Sequence, residues 1–237
     1  KACQPSRLLK NATGTAVWEP SGTETAVFLS LWPVSPDVSP PPEHPPADPL
    51  LLFADWYQAA QTQNLPQPNA MSVATVSAQG EVSSRLVLLR TYDAAGFVFY
   101  TGLDTQKAHD LDSHPQAALL FPWLGIQRQV RVQGTAVKLS TAAVWQYFIT
   151  RPRGSQLGAW LTQSSEVVSS RHVLQAKMAA LKQKFQAGQI PLPDAWGGYR
   201  VQPYRYEFWQ AQPDNLPDRF AYTLQDNGRW LHQRLVP

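Results

Sequence analysis

The chain has 237 residues, 43% of them hydrophobic and 16% charged, a balance that supports a buried core in one large domain or a domain with an arm. Its formal net charge of +3 is dispersed without a basic stripe, which argues against nucleic acid as a partner. Scattered Arg and Lys suit a protein that holds one or two phosphorylated small molecules, although composition alone slightly favours a merely soluble surface. Cys3 is the only cysteine, so no intrachain disulfide and no cysteine-based metal site can form, and a reducing, cytoplasmic setting is expected. The five histidines, at 44, 109, 114, 172 and 232, lack tight ligand spacing, so no metal site is expected. The apolar runs are too short for a transmembrane helix, and Ala26–Trp32 has no basic flank that would make it a signal peptide.

Residues 1–46 differ in texture from the rest. Pro36, Pro40, Pro41, Pro42, Pro45 and Pro46 crowd a segment that reads as an extended, Pro-rich arm, within which Thr25–Trp32 could form a short strand or an apolar strap. Order begins at Asp48-Pro49, an N-cap and first-turn Pro that open a helix to about Gln63. Strands are predicted at Met71–Ser77, Val82–Thr91 and Gly96–Tyr100, joined by turns at Ala78–Gly80 and Asp93–Gly96. A short helix at Thr105–Ser113 precedes strands at Ala117–Phe121 and Ile126–Lys138. Ser140 caps a helix over Thr141–Thr150, and Ser155–Leu161 follows as another. Ser170–Ala187 is a longer helix, with Leu174, Met178, Leu181 and Phe185 at helical spacing and Gly188 as its stop. Tyr199–Gln210, Arg219–Leu224 and Arg229–Leu235 complete the strands. Strands joined by tight turns argue for a mainly β, antiparallel barrel with flanking helices, spanning residues 47–237.

Three constellations carry possible chemistry. Arg85-Leu-Val-Leu-Leu-Arg90 is a strand with cationic ends that face opposite ways if it is regular; a buried strand with solvated ends is the plainer account. Tyr100-Thr101 followed by Lys107 at a helix start offers hydroxyls, free N–H groups and an ammonium to a phosphate. Tyr147, Arg151 and Ser155, spaced by four, would suit a phosphate monoester, with a cation on a helix C-terminus as the equal alternative.

These patches coincide with the motifs of a known family. Asn69–Thr75, Arg85–Arg90, Phe99-Tyr-Thr101, Leu120-Phe-Pro-Trp123, Arg128-Gln-Val130, Arg151-Pro-Arg153, Ser155–Ala159, Pro191-Leu-Pro193, Trp196-Gly-Gly198, Glu207-Phe-Trp-Gln210 and the ending Arg234–Pro237 occur in its order. From Asp48 to Pro237 the chain resembles the pyridoxamine 5′-phosphate oxidase family. The resemblance implies an FMN-binding split β-barrel, homodimeric, with FMN at the subunit interface. It implies a phosphorylated B6 vitamer or similar small ring as substrate and molecular oxygen as a further partner. Hydride would pass from C4′ of the substrate to N5 of the flavin, with pyridoxal 5′-phosphate as product.

By position, the resemblance assigns FMN to Arg85, the backbone of Leu86, Val87, Leu88 and Leu89, and Arg90, Tyr100, Thr101, Gln106 and Lys107. It assigns Gln129, Trp209 and Arg219 to the ring and ribityl chain, with Gln163 and Ser164 as the family's Gln-Ser pair. Tyr147, Arg151 and Ser155, together with Arg90, would grip the substrate phosphate. Four positions depart from the family pattern: Arg90 replaces Lys, Gln106 replaces Arg, Asn215 replaces Arg and Pro217 replaces His. The catalytic face would thus keep Arg219 but be altered at Asn215 and Pro217, which predicts reduced or altered activity. An FMN oxidase acting on a different ring substrate, or a non-catalytic binder of FMN or pyridoxal phosphate, are the other readings this pattern leaves open.

Overall fold

The computed structural model describes residues 8–10, 16–18, 43–161, 168–212 and 216–237. The strands in chain order are β1 (Leu8–Lys10), β2 (Ala16–Trp18), β3 (Ala70–Val76), β4 (Val82–Leu88), β5 (Thr91–Asp93), β6 (Gly96–Gly102), β7 (Gln116–Trp123), β8 (Arg128–Lys138), β9 (Trp196–Gln210), β10 (Asp218–Leu224) and β11 (Trp230–Arg234). The helices are α1 (Pro49–Thr62), α2 (Gln106–Ser113), α3 (Thr141–Thr150), α4 (Arg153–Leu161) and α5 (Arg171–Lys184).

Helix α1 starts where its chemistry dictates. The Asp48 carboxylate accepts from the Leu50 N–H at 2.9 Å, and Pro49 occupies a position that needs no N–H donor. Its buried Leu52, Phe53, Trp56 and Ala60 recur on one face and enter the main core. Phe53 meets the rings of Tyr92, Phe97 and Phe121 edge-on at 4.9, 4.9 and 5.0 Å, the geometry their quadrupoles favour.

Strand β9 organises the sheet, whose order is β11-β10-β9-β8-β7-β3-β4, every pairing antiparallel. One edge of β9 pairs with β8, while its other edge is divided: β6 takes Trp196–Val201 and β10 takes Arg205–Gln210. The handover falls at Pro203, which has no N–H to donate and lies opposite a bulge at Gln133/Gly134. A Cβ on Gly134 would stand 2.4 Å from the Gln202 carbonyl oxygen, so the close approach there needs glycine. The curled sheet and its flanking helices form the antiparallel barrel that the strand pattern implied, in the split form that the resemblance implied. No helix among the described residues is long and apolar enough to cross a membrane.

Several boundaries differ from the sequence reading, two of them with a physical cause in the hydrogen bonding or packing. The strand expected over Val82–Thr91 stops at Leu88, because Leu89 and Arg90 turn away: the Leu89 N–H bonds the Asn69 carbonyl and the Arg90 N–H bonds Val98 on β6. The helix expected over Ser170–Ala187 ends at Lys184, three residues before Ala187, and its C-cap is Phe185. Its apolar stripe is half-used, with Met178, Leu181 and Phe185 against a second core around Phe148 and Leu157, while Leu174 stays exposed. Within the arm, β1 and β2 pair as an unforeseen hairpin, and Pro46 accepts from the Tyr222 hydroxyl at 2.9 Å. Thr25–Trp32 lies outside the described residues.

Candidate active site

The end of β4, the following Arg90, β6, α2, α3 and the start of β9 converge on a cavity of about 290 Å³. Its walls are Leu86, Val87, Leu88, Arg90, Tyr100, Thr101, Lys107, Tyr147, Arg151 and Trp196, which include three cations and no carboxylate. Tyr100, Tyr147 and Trp196 form a cluster of near-parallel rings, with Tyr100 4.0 Å from Tyr147 at 13° and 5.2 Å from Trp196 at 8°, and Tyr147 6.2 Å from Trp196 at 13°. Gly198 permits this: a Cβ there would come within 2.8 Å of the Tyr100 ring. The Arg151 guanidinium stands 4.6 Å over Trp196 and that of Arg90 5.9 Å over Tyr147. Arg151 Nη1 is buried without a hydrogen-bond partner among the described residues. Burial, opposed by Tyr147 and reinforced by the Arg90 charge, holds the Arg151 pKa below its ordinary value.

Lys107, in the first turn of α2, donates to the Thr101 and Thr105 hydroxyls at 3.1 and 3.2 Å. Its pKa is lowered by burial and then by the charge of Arg85. The site therefore assembles positive charge that no carboxylate in the described cavity wall neutralises, a setting whose chemistry suits an anionic ligand.

Arg85 itself is held beneath the cavity. Its Nη1 donates to the Thr75 hydroxyl at 2.7 Å and to the Val73 and Ser83 carbonyls at 3.2 and 3.3 Å, while Nη2 donates to the Ser83 hydroxyl at 2.5 Å. Both hydroxyls lie within 2.6 and 3.2 Å of Asp110 Oδ2, and Gln106 Nε2 donates to Asp110 Oδ1 at 2.7 Å. Burial works against the Asp110 charge, yet the bonds from Thr75, Gln106 and Ser83 and the nearby Arg85 bring its pKa below the ordinary value. Gln106 thus faces Asp110, outside the walls of the cavity.

A second cavity, of about 300 Å³, is lined by Leu124, Gln127, Arg128, Gln129, Trp209 and Ala211. Register places Gln129, Trp209 and Arg219 in one cross-strand row over β8, β9 and β10. Arg219 is anchored there, donating to the nearly buried Glu207 at 2.8 Å and to the Val236 carbonyl at 2.8 Å; Arg131 pairs with the other Glu207 oxygen at 3.4 Å. The two cavities share no residue and sit at opposite ends of β9, at Trp196 and Trp209, roughly 40 Å apart along an extended strand.

The structure brings together most of the residues singled out from sequence. Leu86, Val87, Leu88, Arg90, Tyr100, Thr101, Lys107, Tyr147 and Arg151 share the first cavity, and Gln129 and Trp209 the second. Arg85 and Arg90 part, as their odd spacing suggested, although Arg90 does so from beyond the strand end. Leu89 is buried in the core, and Ser155 lies in the first turn of α4, outside the cavity walls. Pro217 stands just before β10; Gln163, Ser164 and Asn215 lie outside the described residues. Sequence reasoning missed Trp196 and Asp110. The Trp-Gly-Gly run marked a place where a ring lies close over backbone, and Gln106 and Asp110 at i, i+4 marked a possible helical pair.

Residues 57–185 match the family described as pyridoxamine 5′-phosphate oxidase, and residues 196–237 match the pyridoxine 5′-phosphate oxidase C-terminal dimerisation region. The pyridoxine/pyridoxamine 5′-phosphate oxidase of Crocosphaera subtropica is 53% identical over 192 residues, which cover 80% of this chain and 90% of that protein. Among solved structures, PhzG from Burkholderia lata in complex with tetrahydrophenazine-1-carboxylic acid has a TM-score of 0.79 at 28% identity, covering 85% of this chain and 98% of that one. A pyridoxamine 5′-phosphate oxidase-related, FMN binding protein from Nostoc punctiforme shares the fold, with a TM-score of 0.65 at 14% identity over 80% of this chain and 98% of that one. The chain belongs to the pyridoxamine 5′-phosphate oxidase family and is an FMN-dependent oxidoreductase with the family's dimerisation region.

Proposed function

We propose that this chain oxidises pyridoxine or pyridoxamine 5′-phosphate to pyridoxal 5′-phosphate, with molecular oxygen as acceptor. The observation that carries this reading is the cavity whose described walls bring Arg90, Lys107 and Arg151 together without a carboxylate, with Arg151 Nη1 lacking a hydrogen-bond partner among the described residues. These residues fit two phosphate groups. Arg85, Thr101 and Lys107 would hold that of FMN, beside the Leu86–Leu89 backbone and Tyr100. Arg90, Tyr147 and Arg151 would hold that of the substrate, with Ser155 approaching from α4 as the ligand closes the gap. Gln106 is withdrawn from this role by its bond to Asp110.

The row Gln129, Trp209 and Arg219 belongs to the same reading. The family resemblance and the dimerisation region imply that each FMN would lie between two copies of the chain, one giving the phosphate site and the other this row, and the placement of the two cavities at opposite ends of β9 supports that reading. Gln163 and Ser164 would add to the flavin contacts. Bound FMN would supply the redox chemistry, taking electrons from C4′ of the substrate and passing them to oxygen. The chain's part would be to orient the flavin and substrate rings and neutralise their phosphates, and Arg219 would hold a fixed cation toward the flavin. Asn215 and Pro217 offer no charged clamp over the substrate ring, so turnover is lower than with Arg and His at these positions. Residues 47–237 would form the catalytic unit, with 1–46 as an arm.

The test is an anaerobic absorbance titration of the yellow protein with pyridoxine 5′-phosphate, followed by oxygen. Bleaching and then peroxide release are expected; FMN-saturated protein that never bleaches would sink the proposal. A second reading rests on the likeness to PhzG, a protein solved with a reduced tricyclic acid. Under it, Pro217 in place of a charged or aromatic side chain would admit a larger ring, and flavin bleaching by such rings but not by B6 phosphates would decide for it.

A further inference from the structure

Asp110 is 2% exposed and Thr75 1%, a buried carboxylate and hydroxyl outside the cavity walls, Asp110 one turn along α2 from the wall residue Lys107. A guanidinium only donates hydrogen bonds and a carboxylate only accepts them. The Thr75 and Ser83 hydroxyls stand between the two, at 2.7 and 2.5 Å from Arg85 and at 2.6 and 3.2 Å from Asp110. Their protons are therefore forced toward Asp110, and their lone pairs toward Arg85. The other Asp110 oxygen is closed by Gln106 at 2.7 Å, one helical turn earlier. All of these bonds draw Arg85 by its Nη atoms toward the sheet, and its Nε–H makes no hydrogen bond among the described residues. Arg85 is close enough to Lys107 to depress its pKa.

We propose that Asp110 is the positioning residue of the phosphate site, acting on Arg85 through the Thr75 and Ser83 hydroxyls, with Gln106 as the clasp on its free oxygen. The inference rests on the reading that Arg85 and Lys107 hold the FMN phosphate. It goes further in making the neutral residue at position 106 part of a carboxylate-centred relay. The loss of one cation from the site is thereby accompanied by a fixed orientation of another. An Arg85 swung out of this relay would retain its charge but lose its alignment with Lys107, so the effect appears in recognition of the phosphate and not of the flavin ring.

The experiment compares FMN with riboflavin, which lacks the phosphate, by quenching of flavin fluorescence on titration into the flavin-stripped full chain. Wild-type protein prefers FMN. Thr75→Val preserves the side-chain shape and severs the relay, and is expected to cut that preference by on the order of tenfold, with riboflavin affinity unchanged. Asp110→Ala should do the same wherever it folds, and Gln106→Ala should give a smaller loss in the same direction. An unchanged preference in Thr75→Val, or equal losses for FMN and riboflavin, would overturn the relay and reduce Asp110 to a structural contact. A wild-type chain that binds the two flavins equally would instead refute the phosphate-site reading, and this inference with it.

Discussion

Replacing Arg151 by Met should strengthen the fold while weakening the site. The guanidinium is half-buried, stands 4.6 Å over Trp196, and leaves Nη1 without a hydrogen-bond partner among the described residues. Burial and the neighbouring Arg90 both disfavour its charge, and Tyr147 only partly opposes them. An unsatisfied buried donor costs about 1–3 kcal/mol. The cation–π contact returns about 0.5–2 kcal/mol. A methionine thioether on the same ring contributes about 0.3–1.5 kcal/mol. The balance is a gain of about 1 kcal/mol, which corresponds to a rise of roughly 2–4 °C in Tm for a chain of this size. The same change removes a fork that would bind phosphate, at about 1.5–3 kcal/mol for a charged hydrogen bond, so pyridoxine 5′-phosphate should bind roughly ten- to a hundredfold more weakly. Calorimetry of the flavin-stripped protein and substrate titration of the flavin-loaded one give the two readings. A fall in Tm with affinity retained would refute the reasoning and make Arg151 a strut for α3 and β9.

Gly198→Ala places a Cβ 2.8 Å from the Tyr100 ring and 2.9 Å from the Phe99 carbonyl, so a loss of about 1–3 kcal/mol is expected in urea unfolding, with a weakened near-ultraviolet signal as the stack with Tyr147 and Trp196 is displaced. The Asp110 pKa lies below its ordinary value of 3.8, so its contribution is fully present above that value and lost as pH falls through the lower folded one. The stability gap between wild type and Asp110→Asn should therefore be constant from neutral pH down to that value and close below it, as urea unfolding across the acid range will show. Pro217→His restores a ring nitrogen beside β10 and should raise kcat on pyridoxine 5′-phosphate more than it lowers KM, read by peroxide release; a change in KM alone would place position 217 in uniform binding.

Much of the fold was readable because its signals are local. Asp48-Pro49 and Ser140 are caps whose side chains or ring geometry act within one turn, and the structure places both where the letters do. The apparent run Val82–Thr91 misled because periodicity registers side chains and not the partner of each N–H; the hydrogen bonds that divide it run to Asn69 and Val98, far along the chain. The stripe of α5 was equally plain, yet how much of it is covered depends on α4 and the Trp160–Phe185 contact, which no local pattern contains. At the site, Tyr147 and Arg151 were legible from a spacing of four, since a helix face is a local property. Arg85 was legible as a cation but not in its setting, because Thr75, Ser83 and Asp110 come from three elements that only the sheet register and the packing of α2 bring together. Arg219 was assigned to the flavin by resemblance alone, and its anchoring by Glu207 follows from a register across β9 and β10 that spacing cannot state.

The departures from the family pattern divide by whether the surrounding chain answers them. Gln106 sits one helical turn before Asp110, and its amide closes a buried network that already holds a cation in place; the altered position is part of a satisfied polar cluster. Arg90 keeps its charge and lies over Tyr147, in the same cavity as Arg151. Pro217 has no such answer. It stands before β10 as a residue without a donor, next to an exposed Leu216, while Gln212 and Asp218 around it bond each other at 2.6 Å. A polar network under a phosphate site tolerates little looseness, because each unsatisfied buried group is costly. A partly exposed residue such as Pro217, outside any buried network, carries no such penalty. Differences in what this chain oxidises, relative to other members of its family, should therefore map to the approach to β10, and differences in flavin affinity to the few residues around Asp110.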